Sequence, residues 1–107
     1  MALTDSDIAR IVRQHLGGAA TKPYEVHWDT VIRAAGAEVP AGRGQRPMPF
    51  DGHFVFVDLK PNANWGHPTL YLIVSPDGQQ VEVASQEFPP YFDGFPASFR
   101  KFSGTPS

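Results

Sequence analysis

Hydrophobic positions change period along this chain. From Leu3 to Leu16 they recur at helical spacing, with Ile8, Ile11, Val12 and Leu16 forming one stripe, as an amphipathic helix requires. Thr4 and Asp7 make a Thr-x-x-Asp variant of the capping box, Leu3 and Ile8 are spaced to staple it, and Gly17-Gly18 follow the last apolar position. This predicts a helix that starts at Asp5 and stops before the glycines. A second helical spacing runs from Pro23 through Tyr24, Trp28, Val31, Ile32 and Ala35 to Gly36, with Asp29 and Arg33 four apart. The alternation at Val26 and Trp28 also fits a short strand from Tyr24 to Trp28. The longer reach of the helical spacing, to Ala35, favours a second helix.

Beyond residue 52 the pattern becomes that of strands. Phe54–Val57 and Leu70–Val74 are unbroken runs of β-formers, and Gln79–Ala84 alternates around Val81 and Val83. Ser75-Pro76-Asp77-Gly78 has the residues of a tight turn, so the last two strands should form a hairpin. The link Lys60–Pro68 is too short for a helical crossover, which makes the first two strands antiparallel. Continuous apolar runs imply strands covered on both faces, one of them by the helices.

Two stretches show no period. Between Val39 and Gly52, Pro40, Gly42, Gly44, Pro47, Pro49 and Gly52 interrupt every window, which reads as a loop. From Glu87 to Phe102, six aromatic residues lie among Pro89, Pro90, Gly94 and Pro96. This segment is expected to run extended across the sheet, with at most a brief helical turn from Pro96 to Lys101 and a frayed end over 103–107. The predicted fold is therefore α+β in one domain spanning 1–107. It has two N-terminal helices, a three-stranded antiparallel meander and an irregular aromatic C-terminal segment.

Composition narrows the function classes. Nine Lys and Arg face eleven Asp and Glu, a formal charge of −2, so the basic footprint of a nucleic-acid binder is missing. The acidic, capped start lacks the character of a secretion signal, and no apolar run reaches the ~20 residues needed to span a bilayer. The absence of cysteine excludes disulfide frameworks, thiolate metal sites and thiol nucleophiles. A cytoplasmic bacterial protein is the expectation.

Candidate chemistry concentrates in the link from Asp58 to Pro68, which holds a carboxylate, the amides of Asn62 and Asn64, the Trp65 indole and the His67 imidazole. Asp58 orienting His67 would resemble an acid–base pair. The competing structural reading makes the asparagines turn residues, Trp65 a plug at the core edge and His67 a backbone hydrogen-bonder. No serine nucleophile lies in a suitable context nearby. His15, His27, His53 and His67, with Asp58 and Asp51 alongside, lack the three-to-five spacing of paired zinc ligands, Asp58, Asn62 and Asn64 lack the glycine and terminal glutamate of a calcium loop, and no metal or cofactor is expected. Gly42-Arg43-Gly44 with Arg46 has the residues of a phosphate cradle but neither the preceding strand nor the following helix. Phe99, Arg100 and Phe102 mix rings with a cation, as an interface rim does.

These observations point to a non-catalytic protein-binding module of the adaptor, immunity-type or accessory kind. Binding would run through Asn62, Asn64 and Trp65 or through Phe99, Arg100 and Phe102. A second expectation is a small hydrolase or ligand-binding domain built around Asp58, Trp65 and His67. The partner expected is a protein, not nucleic acid or membrane. Homodimerisation through the tail or an open strand edge is a related expectation.

Overall fold

The computed structural model describes residues 2–16, 23–41, 44–60, 69–86, 90–91 and 94–104. Among them the chain forms one helix, α1 (Asp5–Leu16), and seven strands: β1 (Tyr24–Asp29), β2 (Glu38–Ala41), β3 (Gly44–Pro47), β4 (His53–Asp58), β5 (Thr69–Val74), β6 (Val81–Gln86) and β7 (Phe99–Gly104). Five strands form one antiparallel sheet in the order β6-β5-β4-β1-β7, and β2 and β3 form a separate two-stranded sheet. The architecture is mostly β with one helix. It replaces the expected α+β arrangement of two helices and a three-stranded meander.

The first helix starts at Asp5, where the capping box put it. The Thr4 amide donates to Asp7 Oδ2 at 2.9 Å and the Asp7 amide to Thr4 Oγ1 at 3.3 Å, satisfying donors that a helix start leaves open. Ile8, Ile11, Val12 and Leu16 are buried.

The second helix is instead strand β1. Tyr24, Val26 and Trp28 are buried on one face of the sheet, while Val31 and Ile32, which extended the helical spacing, are 44% and 51% exposed. No buried stripe therefore continues past Asp29. β1 gains ladders on both sides, to β4 and to β7, and this tertiary pairing overrides the local pattern.

The expected loop at 39–52 contains the β2–β3 hairpin, with register Glu38↔Pro47 to Ala41↔Gly44. Pro40 and Pro47 are tolerated because each strand of a two-stranded sheet keeps an open edge. Val39 and Met48 from this excursion are buried against the large sheet.

The aromatic tail ends in an edge strand. β7 pairs with β1 from Asp29↔Phe99 to Tyr24↔Gly104. Ladder therefore replaces both the suggested helical turn, of which only a turn at Ala97-Ser98 exists, and fraying at Ser103 and Gly104.

Alternation divides the sheet into two cores. Tyr24, Val26, Trp28, Val55, Val57, Leu70, Leu72 and Val74 meet α1 on one face. Phe54, Phe56, Tyr71 and Ile73 meet Val39 and Met48 on the other, with Phe95 and Phe99 packed alongside. Covering on both faces explains why β4 and β5 read as continuous apolar runs. The β5–β6 turn matches its sequence. Gly78 has φ +76°, its amide donates to the Ser75 carbonyl at 2.8 Å, and Asp77 Oδ1 accepts from the Gln79 amide at 3.0 Å.

Candidate functional site

On the face of β1 turned away from α1, period-two alternation brings Glu25, His27 and Asp29 to one side. The His27 ring stacks on Phe95, with centroids 4.0 Å apart and planes 4° apart, and lies 5.9 Å from the Phe56 ring of β4. Its Nε2 is 3.5 Å from Glu25 Oε2, which is 3.6 Å from Lys101 Nζ on β7. Asp58 is the cross-strand partner of Glu25, so it falls diagonal to His27. Burial under the rings holds the His27 imidazole below its ordinary value. Glu25 and Asp58 oppose that shift and Lys101 adds to it. The patch thus offers a neutral imidazole beside two carboxylates and an ammonium.

Asp29 lies deeper at the end of β1. Its carboxylate accepts from Arg33 Nε at 2.7 Å and from the Val31 amide at 3.0 Å, while its carbonyl accepts from His53 Nδ1 at 2.9 Å. These bonds satisfy a charged group that is 2% exposed and make it a structural tie. Burial raises the Tyr91 phenol, and nearby Asp29 adds to that shift.

A shallow groove runs between the β2–β3 hairpin and the β5–β6 side of the sheet. Val39, Arg46, Phe54, Tyr71, Ile73 and Ala84 line it, and its cavity volume is ≈ 40 Å³. That admits a few water molecules, far below the ~300–1,000 Å³ of a small-molecule site. Arg46 pairs with Glu82 of β6 beside it.

Only some of the sequence-derived candidates fall among the described residues. Asp58 Oδ1 accepts from the Lys60 amide at 3.0 Å. Asn62, Asn64, Trp65 and His67 lie outside the described residues, and with them the Asp58–His67 pairing. Phe99 is half-buried against the core away from α1, Phe102 packs on the helix-side core, and exposed Arg100 binds Asp5. Arg43 lies outside the described residues, and Arg46 is engaged by Glu82. His15 Nδ1 donates to the Ile11 carbonyl at 2.8 Å and Asp51 Oδ1 accepts from the Ala35 amide at 2.8 Å. Among the described residues no group of three or more His, Asp or Glu is placed to hold a metal ion, and no helix is long and apolar enough to cross a membrane.

In the sequence His27 stands only among four histidines without ligand spacing. Its signal was the alternation Glu25, His27, Asp29 against Tyr24, Val26, Trp28, which has meaning only once the segment is a strand. Comparison of the chain with protein-family models, with curated proteins and with solved structures gives no match.

Proposed function

We propose that this chain is a non-catalytic protein-binding module, of the adaptor, immunity-type or accessory kind, which takes a partner segment as an added strand along β6. One observation carries the reading. The Ser75 amide donates to the Gln80 carbonyl at 2.9 Å and the register continues through Ile73↔Glu82 and Tyr71↔Ala84. The main chain of Glu82, Ala84 and Gln86 therefore bonds to β5, and that of Val81, Val83 and Ser85 points off the sheet. β6 ends the strand order and holds its register with β5 over its whole length. It contains no proline, lysine or arginine, and its one charge, Glu82, is paired with Arg46.

Replacing Val83 by Pro tests this reading, because the lost N–H makes no bond to β5. A partner from the native host should bind the natural chain and raise its melting temperature. It should fail to bind Val83→Pro, whose circular dichroism is that of the natural chain. A partner that binds both forms equally would exclude the edge as the binding surface.

A second reading, a small hydrolase or ligand-binding domain, finds support in the grouping of Glu25 and His27 of β1 with Asp58 at the end of β4. His27→Phe keeps the ring on Phe95 and removes the imidazole nitrogens. Under this reading it abolishes turnover or ligand binding at nearly unchanged stability.

A further inference from the structure

We infer that the strand β6 accepts is β6 of a second copy of this chain, paired antiparallel about a twofold axis through Val83. This inference rests on the strand-addition reading above and adds the identity of the partner. It follows from the order of residues along the edge. Outward-facing residues must pair with outward-facing residues, and the only antiparallel register that uses Val81, Val83 and Ser85 of both strands sets Val83 opposite the partner's Val83 and Val81 opposite the partner's Ser85. The side chains agree with this register. Val81 packs on the helix-side core, so Val83 shares that face, where it is 39% exposed. Pairing about the axis covers each Val83 with the other, a favourable contact of β-branched residues.

Charge disfavours one of the neighbouring registers. On the opposite face Glu82 meets the partner's Ala84, and each Glu82 keeps its own Arg46. A slip that sets Val81 against the partner's Val83 would bring Glu82 directly against the partner's Glu82, a like-charge pair. The other sheet edge differs. β7 carries Arg100 and Lys101, held by Asp5 and Glu25, and cations along an edge disfavour pairing with a second copy. A closed isologous pair also consumes the β6 edge of both subunits, leaving no β6 edge to propagate a filament.

The chain has no cysteine, so a single introduced thiol reports the axis. Sedimentation of the natural chain should show the mass rising with concentration from 11.7 kDa toward twice that value. Val83→Pro and Val83→Lys should both stay at 11.7 kDa with unchanged circular dichroism. Val83→Cys should oxidise to a disulfide-linked dimer, since paired strands hold Cα atoms within bridging reach, and at least tenfold faster than a Lys101→Cys control. A natural chain that remains monomeric up to about 1 mM, beyond the range of even weak transient contacts, overturns the inference. So does a dimer that both Val83 variants retain, or equal crosslinking at positions 83 and 101. A monomer that still binds another protein through an edge blocked by Val83→Pro overturns the twofold pairing alone and leaves the strand-addition reading standing.

Discussion

Arg100 donates two hydrogen bonds to Asp5, from Nε to Oδ1 at 3.0 Å and from Nη2 to Oδ2 at 2.9 Å, tying the last strand to the first turn of the helix. The same carboxylate accepts the Trp28 indole N–H at 2.7 Å. Its contacts with Arg100 hold it below the ordinary carboxylate range. The two kinds of contact have different weights. The Arg100 side chain is 61% exposed, so solvent screens that pair, whereas Trp28 is 3% exposed and its N–H would be stranded.

Asp5→Ala should therefore destabilise the chain by about 1–2 kcal/mol, most of it from the unsatisfied indole, and Arg100→Ala by clearly less. Asp5 has a lower folded than unfolded pKa, so its charge contributes stability above about pH 4, the unfolded value, and loses it as pH falls through the folded value. Urea titrations at pH 3 and pH 6 should show a smaller pH difference for Asp5→Asn, which keeps an acceptor for Trp28 but cannot ionise. An equal pH dependence in both proteins would remove Asp5 as the source.

His27 gives a response in a different window. Its folded value lies below the ordinary imidazole value because the rings of Phe95 and Phe56 exclude water. The unfolded chain then binds the proton more readily. Stability is full above about pH 6.5 and falls as pH drops from there to the folded value. Glu25, Asp58 and Lys101 face the same ring. His27→Phe preserves the stack and removes the proton site, so its melting temperature should be flatter than that of the natural chain between pH 7.5 and pH 5.5. Parallel curves would show that His27 does not titrate differently on folding.

Gly52 tests the close approach that lets the 33–52 excursion return to the sheet. Arg33 and Gly52 exchange backbone bonds at 2.8 and 3.0 Å, and a Cβ on Gly52 would lie 2.5 Å from the Val74 carbonyl oxygen. That neighbour is backbone of a central strand and cannot swing away. Gly52→Ala is expected to cost about 2–3 kcal/mol, read from the urea midpoint. Gly44→Ala, whose new atom would lie among the described residues at an ordinary 3.9 Å from Ala41 O, should lie within about 0.5 kcal/mol of the natural chain.

What could be read from sequence was what is encoded locally. The capping box at Thr4 and Asp7 and the turn at Ser75–Gly78 each specify their geometry within a few residues, and both occur. Tyr24 and Trp28 satisfy helical and strand spacing at once. The decision between them is made by β4 and by β7, whose Phe99–Gly104 lies some seventy residues further on. The β2–β3 ladder was hidden because Pro40, Gly44 and Pro47 are poor strand residues that a two-stranded sheet accepts. The same non-local choice concealed the His27 patch. The alternation in β6 was legible, but its place at the end of the strand order was not, because it depends on β7 crossing to the far side of β1.

Phe99 and Phe102 separate the interface role expected of the tail from the structural one. They alternate on β7, so each enters a different core: Phe99 lies 5.2 Å from the Phe95 ring and 6.2 Å from Phe54, while Phe102 packs with the helix-side residues. Both are half-buried, so each Phe→Ala should cost about 2–3 kcal/mol, below the cost at a fully buried site. Because the sheet lies between them and they share no partner in either cluster, the double variant should lose the sum of the two within about 0.5 kcal/mol. An interface rim predicts otherwise. Rings exposed to meet a partner would leave the melting temperature of the isolated chain almost unchanged when truncated, singly or together. Urea unfolding of the two single variants and the double variant distinguishes these outcomes. A combined loss of about 4–6 kcal/mol, a large part of the stability of a domain this size, would assign both rings to the two cores.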